Sequence, residues 1–139
     1  MNTTEVDDIR PYHDEELREI FEELIAEPEF KQAAAGALPE IPWEHVVAGM
    51  RSSNTKLDFQ KKFMYPLMRK LANNFSDGLT MDHSALKAKA MAYTYISNHR
   101  DIILDSGFLS ILLIDGVMDT VEIAIGDNLL IYPWIKKLV

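Results

Sequence analysis

The chain has 139 residues, 47% of them hydrophobic, a net charge of −8 and no cysteine. That size suits one ordinary domain, or a small domain with part of another. The missing thiols exclude disulfides, thiol catalysis and cysteine-based zinc or iron–sulfur sites, and the acidic balance argues against a general nucleic-acid binder, whose phosphate contacts need a basic face.

The opening residues, MNTTEVDDIRPYHDEE, are acidic and polar, without the basic start and apolar run of a signal peptide. The most apolar stretch, 102–113, is interrupted by Asp105, Ser106, Gly107 and Ser110. It is shorter than the roughly 20 residues that span a bilayer. A cytoplasmic location is expected, with any contact at the inner face of a membrane being peripheral. Acids crowd 5–29, opposed only by Arg10 and Arg18, and bases crowd 56–70. The simplest expectation is a solvated basic helix face paired against the acidic first helix.

In chain order, residues 14–26 predict an amphipathic helix, with Leu17, Ile20, Phe21, Leu24 and Ile25 on one stripe. Acids fill its first turn, where the helix dipole favours them. Pro28 ends it and opens a short helix up to Gly36. Residues 42–51 predict a third helix, with Trp43, Val46, Val47 and Met50 on one side. After the break Ser52-Ser53-Asn54-Thr55, a long helix is predicted over 56–75. Its stripe is Phe59, Phe63, Met64, Leu67, Met68, Leu71 and Phe75, and Pro66 should kink it. The stripe reads as the core of a helical bundle, with a lipid-facing groove as the alternative.

The pattern changes after Ser76-Asp77-Gly78. Residues 90–96 are rich in β-formers and predict a strand, 101–113 a helix, and the alternating 121–125 a second strand. Gly126-Asp127-Asn128 turns the chain into a last helical stretch that Pro133 interrupts. Strand, helix, strand, helix is the pattern of a right-handed parallel βαβ unit. The expected class is therefore α/β and helix-rich. A helical bundle over 1–78 is followed, over 79–139, by the first βαβ unit of an α/β domain. Two parallel strands make a poor sheet alone, so the sequence reads as the front part of something larger, incomplete at Val139.

The chemistry-bearing segment is Ser97-Asn98-His99-Arg100-Asp101-Ile102-Ile103-Leu104-Asp105. A histidine beyond the carboxyl end of a predicted strand, with acids just inside the next helix, lies where open α/β sheets bind ligands. A carboxylate that orients an imidazole and stabilises its protonated form is the minimum for general-base catalysis. On spacing alone the segment also reads as a turn, with Asp101 a helix N-cap and His99 a satisfied turn residue.

Asn98-His99-Arg100 followed by Leu104-Asp105 resembles the first signature block of the glycerol-3-phosphate and lysophosphatidic acid acyltransferases. Phe108-Leu109-Ser110-Ile111-Leu112-Leu113 is similar to the apolar helix behind that block. The segment 121–130, and the opening Ile9-Arg10-Pro11-Tyr12 with the helices after it, resemble a bacterial branch of the family. The resemblance runs over most of the chain, but only the block around His99 is mechanistically specific. It implies transfer of a fatty acyl group from acyl-coenzyme A or acyl carrier protein to the hydroxyl of a glycerol phosphate or lysophospholipid. His99 is then the general base, Asp105 or Asp101 its acidic partner, and Asn98 and Arg100 substrate-binding residues, with no cofactor and no metal. Five residues separate His99 from Asp105 where the family has four, which on a regular helix turns a side chain by about 100°. The apolar Leu104 before Asp105 matches the family order and favours Asp105 over Asp101. The later family blocks, an Arg and a Gly-Glu-Gly-like or Pro-Glu-Gly-like loop, are absent from this sequence, which points to the rest of the enzyme lying beyond Val139.

Ser97 and Ser106 flank the histidine, but no Gly-x-Ser-x-Gly elbow supports a hydrolase. His13, His45 and His83 share no metal-ligand spacing. The rival to an enzyme is a non-catalytic helical interaction module, whose basic stretch at 56–70 would dock on an acidic carrier protein or an anionic lipid surface.

Overall fold

The computed structural model describes residues 10–86, 91–98, 100–101, 104–116 and 118–139. Its helices are α1 (Leu17–Ala26), α2 (Pro28–Ala37), α3 (Trp43–Arg51), α4 (Lys56–Phe59), α5 (Tyr65–Phe75), α6 (Leu104–Asp115) and α7 (Pro133–Leu138). Short 3-10 turns at Asp14–Glu16 and Asp127–Leu129 and a π-helical segment at Gln60–Met64 complete the regular structure. The chain divides into two compact units: Met1–Phe59 with Ala124–Val139, and Gln60–Ile123.

In the first unit the 3.6-residue stripe of α1 puts Leu17, Phe21 and Leu24 inside. They meet Phe30 and Ala34 of α2, Val46 and Met50 of α3, and Phe59 of α4, all buried. Leu24 and Met50 are completely covered, and burying such side chains stabilises by about 1.5–3 kcal/mol each. Phe21 and Phe59 pack with ring centroids 5.0 Å apart. The helix starts follow from local chemistry. Pro28 occupies the first turn of α2, where its missing N–H costs nothing. At α4 the Thr55 hydroxyl accepts the Asp58 N–H at 3.0 Å, and the Asp14 carboxylate accepts the Lys56 N–H at 2.9 Å.

The returning C-terminal segment belongs to the same unit. Trp134 of α7 lies 6.0 Å from the Phe30 ring and stacks on Tyr132, and Lys137 pairs with Glu23 at 2.5 Å. Pro133 does not interrupt a helix, as the sequence led us to expect; it opens α7, because proline suits the first turn. The acids of α1 find bases within this unit: besides Lys137, Arg51 holds Glu22 with two hydrogen bonds of 2.7 Å.

The second unit is built on α5 and α6. Met68, Ala72 and Ile111 form its core, with Tyr65, Leu67, Leu71, Leu79 and Phe108 packed around them. The expected long helix over 56–75 is divided. Pro66 sits in the first turn of α5 and cannot donate to the carbonyl four residues back. The turn before it, Gln60–Met64, widens to π-helical geometry. Phe75, placed on the core stripe by its spacing, is 78% exposed at the helix end.

The expected α/β class is not what the structure shows. Neither 91–96 nor 121–125 forms a strand, and no strand occurs among the described residues; residue 90 lies outside them. The physical reason is that a strand exists only through its ladder. The β-forming residues satisfy the period of two, which sets the Tyr93 and Tyr95 rings side by side at 6.1 Å. No strand ladder forms on them among the described residues, and Ile96 stands 94% exposed. The architecture is helical in both units. No helix among the described residues is long and apolar enough to cross a membrane.

Candidate functional site

The block that the sequence singles out precedes and opens α6. Asn98, Arg100 and Asp101 are exposed, Asp105 is half-buried, and His99 lies outside the described residues. Two carboxylates organise the turn. Asp101 accepts the Leu104 N–H at 2.7 Å, a helix N-cap three residues before the amide it satisfies. Asp105 turns back: its Oδ2 accepts the Arg100 N–H at 2.6 Å and the Asp101 N–H at 3.0 Å. The two acids thus hold each other's ends of one turn, a variation on the reciprocal capping box.

This geometry brings Arg100, Asp101 and Asp105 together. It also returns Asp105 to the peptide of Arg100, the residue that follows His99 in the chain. Charge-assisted bonds from two successive amides to one carboxylate oxygen are short and directional. They fix the carboxylate against the backbone rather than leaving it to sample solvent.

Sequence reasoning missed a second polar cluster, at the far end of α6. The Tyr65 hydroxyl donates to Asp115 Oδ1 at 2.6 Å. Arg69 Nε donates to the same hydroxyl at 3.3 Å, and its Nη2 pairs with Asp115 Oδ2. The guanidinium also stands 5.7 Å from the Tyr65 ring centroid. Next to this triangle Lys61 pairs with Asp119 at 3.4 Å, and the Thr120 hydroxyl bonds the Gln60 side-chain oxygen. Tyr65 and Arg69 are four residues apart on a helix, which the sequence does display; nothing in it names Asp115 as their shared partner.

Asp115 and Asp119 are therefore engaged with cations, and Asp101 is a cap. Among the described residues no group of three or more His, Asp or Glu side chains gathers as it would around a metal ion. A shallow surface cavity of about 360 Å³ opens at the end of α5, lined by Arg69, Asn73, Ser76, Asp77 and Leu79 among others; no residue of the predicted block lines it. No family model, no curated protein and no solved structure matches this chain.

Proposed function

We propose that this chain carries the general-base block of an acyltransferase, which moves a fatty acyl group from an acyl thioester to a glycerophosphate-type hydroxyl. The reading rests on the resemblance of the Asn98–Asp105 block, and one structural observation supports it. The Asp105 carboxylate bonds the Arg100 N–H at 2.6 Å, next in the chain to the proposed base. In this scheme His99 takes the hydroxyl proton as the acceptor oxygen attacks the thioester carbonyl. The C–S bond then breaks, the leaving thiolate receives the proton, and ester and free thiol are released. Asp105 orients the imidazole and stabilises its positive charge. Asp101 holds the start of α6, and Asn98 and Arg100 face the substrates. The donor is acyl-coenzyme A or acyl carrier protein, and the acceptor is glycerol phosphate or a lysophospholipid.

The test is a chromogenic assay of released coenzyme A or carrier thiol, to which residues 1–139, with no cysteine, add no thiol background. In the complete enzyme, His99→Ala should lower turnover by about 10²–10⁴-fold, the usual contribution of a positioned general base, with an unchanged circular dichroism spectrum. Asp105→Asn should cost more than Asp101→Asn. Full turnover by His99→Ala would remove the imidazole from the mechanism, and the reverse order of the two acids would make Asp101 its partner.

A further inference from the structure

Helix α6 presents an unusual problem of alignment. Its sequence, LDSGFLSILLID, is apolar nearly all round, and its two fully covered residues, Ile111 and Leu113, lie about 200° apart around the helix axis. Phe108 and Ile111 face the α5 core, while Leu113 is covered on the other side, so apolar contact alone fixes the rotation of this helix only loosely. Yet its first turn carries Asp105, whose carboxylate must sit within 3.0 Å of two particular amides.

We infer that the Tyr65–Arg69–Asp115 triangle is the register key of α6. It sets the rotation of that helix and so positions the acidic turn at its other end. Three observations carry this. The triangle is closed: each member touches the other two through the hydroxyl, the guanidinium and the carboxylate. It is about one-third exposed, with Arg69 at 31% and Asp115 at 30%, enough desolvation for its geometry to be demanding without isolating a charge. And Asp115 is the last residue of α6, ten residues or about 15 Å along a stiff helix from Asp105, so a rotation at one end is a rotation at the other. Single polar contacts that fix register at some cost in stability are a known device of helical interfaces. The neighbouring pairs Lys61–Asp119 and Gln60–Thr120 continue the same seam. The π-helical turn Gln60–Met64 presents their first members, so the widened turn before Pro66 also serves this alignment. Tyr65, Arg69 and Asp115 are thus positioning residues, acting on the site through α6.

The consequence for turnover rests on the acyltransfer reading, so the experiment has one arm that does not. Hydrogen exchange of the Arg100 and Asp101 amides reports the bonds to Asp105 directly. In Asp115→Asn those two amides should exchange about tenfold faster, while the amides of α1 keep their rates. Tyr65→Phe removes one hydroxyl and should act in the same direction; it serves as the test should Asp115→Asn fail to fold. Arg69→Lys, which keeps the charge and loses the fork, should fall between them and the unsubstituted protein. In the thiol-release assay the same variants of the complete enzyme should lower kcat by about tenfold with KM for both substrates within about twofold. Asp115→Asn should add nothing further to Asp105→Asn. Wild-type exchange at Arg100 and Asp101 in both variants, or effects that multiply with Asp105→Asn, would overturn the register key. Accelerated amides in a complete enzyme that transfers no acyl group would keep the key and remove the proposed function. Acyl transfer with unmoved amides would do the reverse.

Discussion

Glu16 receives both arms of the Arg10 guanidinium, at 2.8 and 2.9 Å, and the His13 N–H at 2.6 Å. Hydrogen bonding to Arg10, followed by that of the His13 amide, holds its carboxyl down from 4.5 to about 2. A carboxyl whose folded pKa is depressed stabilises the fold fully above its unfolded value, and that contribution is lost as pH falls through the folded one. The window therefore runs from about pH 4.5 down to about 2. Glu16→Gln should flatten the decline of the thermal midpoint across that window, and the flattening should shrink near 1 M salt, where screening reaches about 3 Å. An acid limb unchanged by the substitution would assign the acid sensitivity to other carboxyls. Glu22 follows the same sign, lowered chiefly by its hydrogen bond to Arg51. Such contacts were legible in the sequence only where they are local. Asp101 reads as a cap because a cap acts three residues ahead. The bond from Tyr65 to Asp115 crosses 50 residues, and no short-range pattern encodes it.

For whole elements the same distinction holds. The helices 17–26, 28–37 and 43–51 were readable because a 3.6-residue stripe and a proline at an N-terminus state both face and start. The two expected strands failed because β-propensity records fitness for a pleated surface, not the presence of a neighbour; the partner is a non-local fact. Pro66 lay between these cases. Its disruption was foreseeable, but its resolution as a π-helical turn depends on what the widened turn then meets, Asp119 and Thr120. One close approach between elements makes a quantitative prediction. A Cβ on Gly107 of α6 would fall on the Met68 sulfur, with Cγ and Cε at 3.3 and 3.8 Å. The obstructing atom is in the middle of the side chain, so a swing of the tip does not relieve it. Overpacking costs about 1–3 kcal/mol, against about 1 kcal/mol gained by replacing a helical glycine with alanine. Gly107→Ala should thus lose about 1 kcal/mol in urea unfolding, and in a Met68→Ala background it should be neutral or stabilising. A gain in both backgrounds would show that α5 and α6 do not approach each other closely at this point.

Taken as a whole, the molecule is organised by packing rather than by sequence order. The sequence pattern changes near residue 78, where helix-rich residues give way to β-rich ones, whereas the first compact unit ends at Phe59 and resumes at Ala124. What draws 124–139 back is visible: Trp134 against Phe30, and Lys137 against Glu23. Each contact joins residues more than 100 positions apart, so the first unit closes only when residues 124–139 are present. Non-local closure of this kind carries a loop-entropy cost that grows slowly with length and must be offset by the contacts made. Trp134 is the largest apolar group making them. Trp134→Ala should therefore destabilise the N-terminal helices, not merely its own. Because the side chain is only partly buried, the loss should be about 1–3 kcal/mol, below the roughly 3–5 expected for a fully buried tryptophan. Hydrogen exchange resolves where that loss falls. The amides of α1 and α2, including Leu24 and Ala34, should lose protection together with those of α7, as one cooperative unit does. Loss confined to 133–138, with α1 unchanged, would mean that the helices of the N-terminal half form their core without the returning segment. The charge arrangement points the other way: Glu23 spends its carboxylate on Lys137 at 2.5 Å, and that pair holds Lys137 above its ordinary pKa, so folding of the acidic first helix is coupled to a cation at the opposite end of the chain.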